Sequence, residues 1–306
     1  MIMKREFRPY LLALGILGAA WTALADGPAL TTIDYPGSAN THLWGINNRG
    51  DIVGIYNTAA DKKWHGFLLS GGNFTPIDFP GSDNTVLYGI NPAGDITGLY
   101  TSDTDHSFRL SGGQFSQIDF PGATSTDVWG INPRGDVAGS YVSADKVTHG
   151  YLLSGGQFST IDFPGAAGNT TLSGINPQGD ITGVYQSADK AVHGFLLSDG
   201  DFTSIDFPDA TYTNTTGIDA RGDIVGRYLD AGKVSHGYML RDGQFITIDV
   251  PGATFTGLTA MNKNGDIVGR YSSPDGAFHG FLLTGFQPPC AAGASTQASA
   301  LHPAGR

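Results

Sequence analysis

From residue 31 to residue 283 the chain alternates short apolar runs with polar breaks that carry glycine, and no stretch holds a helical period. The first full set of runs is LWGIN (43–47), DIVGIY (51–56), HGFLL (65–69) and FTPIDF (74–79), rich in Ile, Val, Phe and Tyr. Such runs, bounded by Gly, Pro and Asn, predict β-strands, here termed a, b, c and d. The breaks between a and b read NNRG, NPAG, NPRG, NPQG, DARG and NKNG. Asn or Asp first and Gly fourth suit a type I turn closed by a left-handed glycine. The breaks between c and d, such as SGGN, SGGQ and RDGQ, suit two-residue type I′ hairpins. Run d ends in Pro in every unit, as an exposed edge strand would.

The set repeats. Ile-Asp recurs at Asp34, Asp78, Asp119, Asp162, Asp206 and Asp249, and Gly-Asp at Asp51, Asp95, Asp136, Asp180, Asp223 and Asp266. Four antiparallel strands at a period of about 43 residues predict a β-propeller, with an open β-solenoid as the alternative. The termini favour closure. The first run, TTIDYP (31–36), is a lone d strand, and the last unit stops after its c strand, HGFLL (279–283). The expected fold is therefore all-β, a six-bladed propeller of four-stranded antiparallel blades over residues 26–286, with strand 31–36 completing the last blade. Residues 287–306 hold few bulky apolar groups and read as a disordered, low-complexity tail.

Histidine also recurs once per unit, and hairpin register gives it a partner. With Gly71-Gly72 at the turn centre, His65 falls opposite Asp78 on one sheet face. The same count pairs His106 with Asp119, His149 with Asp162, His193 with Asp206, His236 with Asp249 and, across the ring closure, His279 with Asp34. A pair repeated in every blade cannot converge on one substrate or metal, so these twelve residues read as structural cross-strand hydrogen bonds. The motifs GIN..GDIVG.Y, HGFLLSGG.F and IDFPG resemble the extracellular HAF-repeat family over residues 31–283. That resemblance implies secretion and a repeated β-architecture; it brings no catalytic residues. The sequence departs from the pattern at His106-Ser107-Phe108-Arg109, at Asp209 and at Ala260-Met261-Asn262.

Composition narrows the class. Residues 1–25 combine basic residues, an apolar run from Tyr10 to Trp21 and an Ala-Leu-Ala end, the parts of a secretory signal peptide. The expected location is thus extracellular or periplasmic, with no membrane span in the mature chain. The single cysteine, Cys290, rules out an internal disulfide framework. The net charge of −11, with Glu6 the only glutamate, argues against nucleic acid, whose phosphates need Lys and Arg. No Gly-x-Ser-x-Gly elbow, phosphate-binding glycine loop or His-Glu-x-x-His occurs, and no metal or cofactor is expected.

Function is then sought where the repeats differ. The d–a loops vary and are rich in Ser, Thr, Asn and Asp, and in a propeller they share a face with the b–c connections. The residue before Gly-Ile-Asn on strand a is Trp44, Tyr88 and Trp129 in the first three units, but Ser173, Thr216 and Thr259 stand there in the last three. By simple register these aromatics face Gly54, Gly98 and Gly139 of strand b and would cover them. With Trp64, Tyr212 and Phe255 they form the candidate ligand-binding set. His42, Asp83 and Asp127 are the candidate acid–base residues. The favoured reading is a secreted, monomeric, non-catalytic propeller that binds glycans or other extracellular polymers. A polysaccharide hydrolase or lyase over blades 1–3, and an envelope-associated scaffold with a protein partner, are the alternatives.

Overall fold

The computed structural model describes residues 28–102 and 104–286. The signal peptide and the tail read from the sequence lie outside these residues. The described chain forms a β-propeller of four-stranded antiparallel blades. The first sheet holds β2 (Asn40–Ile46), β3 (Ile52–Asn57), β4 (His65–Ser70) and β5 (Asn73–Ile77). The next holds β6 (Asn84–Ile90), β7 (Ile96–Thr101), β8 (Asp105–Ser111) and β9 (Gln114–Ile118). The third is β10 (Ser125–Ile131), β11 (Val137–Val142), β12 (Thr148–Ser154) and β13 (Gln157–Thr160). The fourth is β14 (Thr170–Ile175), β15 (Ile181–Gln186), β16 (Val192–Ser198) and β17 (Asp201–Ile205).

The remaining strands pair into one eight-stranded sheet. It contains β18 (Tyr212–Ile218), β19 (Ile224–Leu229), β20 (Ser235–Arg241) and β21 (Gln244–Ile248), then β22 (Phe255–Met261), β23 (Ile267–Ser272) and β24 (Phe278–Thr284). A single parallel pair, Ser235 with Phe255, joins the two groups. Beside β24 lies β1 (Ala29–Ile33), antiparallel, with Ile33 opposite Gly280, so the N-terminal strand is the outer strand of the last group. It begins earlier than the sequence run suggests and stops before Asp34, because Pro36 and the turn behind it leave the strand.

Side chains pack between neighbouring sheets. Leu43, Phe67, Leu87, Phe108, Leu172 and Phe195 are fully buried there. Five of the six strand-d runs also deliver an aromatic to the next unit. Tyr35 stacks on Tyr56 at 3.6 Å, Phe79 on Tyr100 at 3.7 Å and Phe207 on Tyr228 at 3.5 Å between ring centroids. Val250 stands at this position in the last repeat, where Tyr271 keeps only the hydroxyl contact to the outer strand, 3.0 Å to Thr32 Oγ1 of β1, that Tyr141, Tyr185 and Tyr228 also make.

The His–Asp register appears at all six positions. His65 Nδ1 lies 2.9 Å from Asp78 Oδ2, and His279 Nδ1 lies 2.8 Å from Asp34 Oδ2. The other pairs span 2.6 to 3.2 Å. The second Asp78 oxygen accepts the Gly66 N–H at 3.2 Å, so one carboxylate satisfies a ring nitrogen and a backbone donor where strand d has ended.

One register expectation fails, and it bears on the site. Pairing between β2 and β3 counts true from the turn through Ile46–Ile52 and Gly45–Val53, then slips by one, so that Leu43, not Trp44, faces Gly54. Tyr88 and Trp129 are displaced in the same way. The aromatics are the extra residues of β-bulges and do not cover the strand-b glycines. A Cβ on Gly54 would instead meet His42 O at 2.3 Å and Phe67 Cζ at 2.7 Å. A bulge adds one residue to one strand only and re-aims its side chain.

Candidate ligand-binding site

The bulge in every first strand of a sheet turns one side chain towards the centre of the ring. In the first three sheets that side chain is aromatic, and the three rings meet: Trp44 and Tyr88 at 5.3 Å, Tyr88 and Trp129 at 4.5 Å, Trp44 and Trp129 at 6.3 Å between centroids. All three are half-buried. In the later sheets the hydroxyls have local work. Thr216 Oγ1 donates to Val225 O at 3.0 Å and to Leu258 O at 2.8 Å, and Thr259 Oγ1 to Leu43 O at 2.9 Å. The threonines therefore satisfy carbonyls that the bulge leaves open, whereas the indole nitrogens Trp44 Nε1 and Trp129 Nε1 are buried with no hydrogen-bond partner among the described residues.

Two residues upstream on the same strands, and towards the d–a loops, lie His42, Asp127 and Asn214. The His42 ring sits 5.0 Å from both Trp64 and Phe278 and 6.3 Å from Trp44. Phe278 and Phe255 approach to 5.6 Å. The connecting segments are tied to neighbouring strands, since Trp64 N–H donates to Asn84 Oδ1 and Phe278 N–H to Asn40 Oδ1, both at 2.9 Å. Trp44, Tyr88, Trp129, Trp64 and Phe255 thus belong to one continuous aromatic mouth at the d–a end of the ring.

The sequence reading missed two arginines. Arg270 lies over Trp44 at 4.5 Å and is 3.0 Å from His42 Nδ1; Arg227 lies over Tyr212 at 4.6 Å. Phe255 sits between them, 5.7 Å from each guanidinium carbon. Arg227 thereby links Tyr212 to the rest of the cluster. The signal was present in the repeats: the strand-b position after Gly is Ile55, Leu99, Ser140 and Val184 in the first four units, then Arg227 and Arg270.

The acid–base candidates do not assemble. Asp83 is 62% exposed in its side chain and pairs with Lys63 at 2.8 Å. Burial, with the Arg270 charge behind it, pushes His42 down to about 3, so its ring is neutral at pH 7. Burial pushes Asp127 up to about 6, with repulsion from Asp105 adding to it. The charged neighbour of His42 is an arginine and that of Asp127 another aspartate. Among the described residues no group of three or more His, Cys, Asp or Glu converges as a metal site. The opposite end of the channel, lined by Ile46, Ile90, Ile131, Ile175, Ile218 and Met261 above the a–b turns, holds only about 90 Å³. That is room for a few waters and well below the usual ~300 Å³ or more of a small-molecule site.

No known family's sequence profile matches the chain, and no curated protein does. Solved structures do. AofleA from Arthrobotrys oligospora aligns with a TM-score of 0.54 at 14% identity, over 86% of this chain and 87% of that one. A variant of the Aleuria aurantia lectin, solved in complex with Fucα1-6GlcNAc, gives 0.52 at 12% identity over 82% and 93%. TolB from Acinetobacter baumannii gives 0.54 at 13% identity over 81% of this chain and 64% of its own. At these identities the likeness is one of fold. Among the described residues no helix is long and apolar enough to cross a membrane.

Proposed function

We propose that this protein is a secreted, non-catalytic carbohydrate-binding propeller of six blades that takes its ligand at the aromatic mouth. The observation that carries the reading is the cluster itself: Trp44, Tyr88, Trp129, Trp64, Tyr212 and Phe255 come together although they belong to different repeats, and several remain partly open to solvent. Aromatic faces beside unpaired N–H groups suit a sugar ring, which offers C–H faces and hydroxyl oxygens. A structural likeness to a lectin solved with a fucosyl disaccharide supports the same class. The count of six blades rests on the six sequence repeats and on the single bridge that joins the two halves of the eight-stranded sheet. Export rests on residues 1–25, and the repeated motifs, by their resemblance, support placing the chain with the HAF-repeat family.

A glycan array that includes neutral oligosaccharides tests the reading, followed by calorimetry on each hit. Binding that Trp44→Ala and Trp129→Ala each weaken severalfold, with the fold intact, supports it. Hits whose affinity neither substitution changes, or no hits at all, defeat it.

A polysaccharide hydrolase or lyase is the second reading, and Asp127 favours it. A carboxyl that keeps its proton to about pH 6 beside a second aspartate, Asp105, has the acidity of a general acid. Product analysis on each bound polymer decides it: turnover that Asp127→Asn removes while binding stays would replace the lectin reading.

A further inference from the structure

The described residues include seven arginines, and five of them, Arg49, Arg109, Arg134, Arg221 and Arg241, lie within 3.3 Å of an aspartate oxygen. Those pairs cluster at the a–b turns, where each recurring Gly-Asp carboxylate sits. Arg227 and Arg270 form no ion pair among the described residues. Their polar partners are neutral: Arg227 Nη2 donates to the Tyr212 hydroxyl at 3.2 Å, and Arg270 Nη1 donates to His42 Nδ1 at 3.0 Å. In a chain with 28 acidic residues against 17 basic ones, two half-buried guanidiniums side by side without a carboxylate are an exception.

The surrounding groups are donors too. A guanidinium can only donate, so His42 Nδ1 accepts and its proton resides on Nε2. His42 is 7% exposed, and Nε2 has no partner. Trp44 Nε1 and Trp129 Nε1 are likewise buried and unpartnered N–H groups. Three orphan donors and two uncompensated cations therefore face one mouth; the orphan amide acceptor beside the arginines is Asn214 Oδ1, and the mouth's unpaired carboxylate, Asp127, belongs to the third sheet, away from the arginine-bearing strands. Buried donors and like charges carry a desolvation cost that an anion with several acceptor oxygens would offset. The repeat makes room for it: Gly257 faces Arg270 across β22 and β23, and a Cβ there would come within 3.2 Å of the Phe255 ring and 3.6 Å of Arg227 Cδ.

We infer that Arg227 and Arg270, with the His42 and Trp44 N–H groups, form a subsite for the ionised carboxylate of an acidic sugar, so that the preferred ligand is a uronate- or sialate-type glycan rather than a neutral one. This rests on the carbohydrate-binding reading and names its substrate class. Phe255, Tyr212 and Trp44 supply stacking faces around the two guanidiniums. The acidic surface elsewhere does not cancel the subsite, because at physiological ionic strength charges more than roughly 8 Å away are largely screened.

Calorimetric titration of the purified protein with oligogalacturonate, with dextran sulfate and with a neutral β-glucan oligosaccharide tests the inference. The carboxylated oligomer is expected to bind the wild type most tightly. Arg227→Gln and Arg270→Gln are each expected to weaken it by about tenfold or more, and to weaken any neutral ligand by a clearly smaller factor, the asymmetry of a lost charge-assisted pair. Should a glutamine variant fail to fold, Arg227→Lys and Arg270→Lys keep the charge, lose the planar fork, and are expected to bind the oligomer more weakly than wild type. Preference for the sulfated polymer, or carboxylate binding that the arginine variants leave unchanged, overturns the subsite. Binding of neutral glycans alone overturns the subsite but leaves the carbohydrate-binding reading standing, and absence of binding to any glycan removes both.

Discussion

Asp127→Asn offers a test of the mouth's electrostatics that needs no ligand. Asp127 sits on β10 opposite Ser140, half-buried beside the aromatic trio, and makes no ion pair among the described residues. Burial, with Asp105 adding repulsion, raises its carboxyl from 3.8 to about 6. The sign follows from proton linkage. Below about pH 4 both the folded and unfolded forms carry the proton, and Asp127 exacts no penalty. Between about pH 4 and 6 the unfolded chain releases its proton first, so stability falls as pH rises; above about 6 the full penalty persists. A shift of about two pK units corresponds to about 3 kcal/mol at 1.4 kcal/mol per unit, and the partial exposure of Asp127 trims that to about 1.5–3 kcal/mol. Asparagine keeps the shape and removes the charge. Urea denaturation of both proteins at pH 4 and pH 7.5 is expected to show near-equal stability at the lower pH and a variant about 1.5–3 kcal/mol more stable at the higher one. Other titrating groups, such as Asp51 and Asp136, act equally in both proteins and cancel in the difference. Parallel curves at the two pH values, or a variant that loses stability at pH 7.5, would refute a desolvated carboxylate and point to a favourable partner for Asp127.

The remaining expectations concern the fold and the rings. Gly54→Ala places a methyl 2.3 Å from His42 O and 2.7 Å from the fully buried Phe67 ring, so a loss of about 3 kcal/mol is expected by chemical denaturation, and a loss under about 1 kcal/mol would contradict the bulged register. Trp44→Ala is expected to weaken any mouth ligand about three- to tenfold, the worth of one stacking face, as read by calorimetry. His279→Ala removes the 2.8 Å bond to Asp34 and should cost about 1 kcal/mol, with faster hydrogen exchange confined to the amides of β1; His149→Ala should cost a similar amount and leave β1 exchange unchanged.

The repeated parts of the molecule are legible from the sequence because register arithmetic works wherever a hairpin has no insertion. The two-residue turn at Gly71-Gly72 carries the count without error from Ser70–Asn73 to Gly66–Ile77, which is why His65 meets Asp78 where the alternation puts it. Between strands a and b the same arithmetic holds for two pairs and then slips at Trp44. Side-chain period alone cannot reveal a bulge, since the extra residue merely looks like the next member of the strand. The consequence reaches past bookkeeping. Without the slip, Trp44, Tyr88 and Trp129 would lie over Gly54, Gly98 and Gly139 as ordinary packing; with it, Phe67, Phe108 and Tyr151 take those places and the three displaced aromatics are free to meet one another.

The same logic separates the residues that build the repeat from those that distinguish its members. His65, Asp78 and Asp51 recur in every unit, and each bonds within or beside its own sheet. The mouth is assembled from positions that change: the bulge residue, the residue two before it, the residue before the repeat histidine, the residue after the strand-b glycine, and the residue four before the bulge, which supplies Tyr212 and Phe255. At the third of these stand Trp64, Asp105 and Phe278, and at the fourth Arg227 and Arg270. Together they divide the mouth by charge. Arg227, Arg270 and the neutral His42 occupy the side built from the last two repeats and the first, while Asp105 and Asp127 occupy the side built from the second and third. An uncharged scaffold of equivalent blades would present the same chemistry around the ring. The substitutions give this one a direction, so a bound polymer would lie with its acidic group towards Arg270 and its hydroxyls towards Asp127, and exchanging charges between the two sides should cost more affinity than neutralising either one.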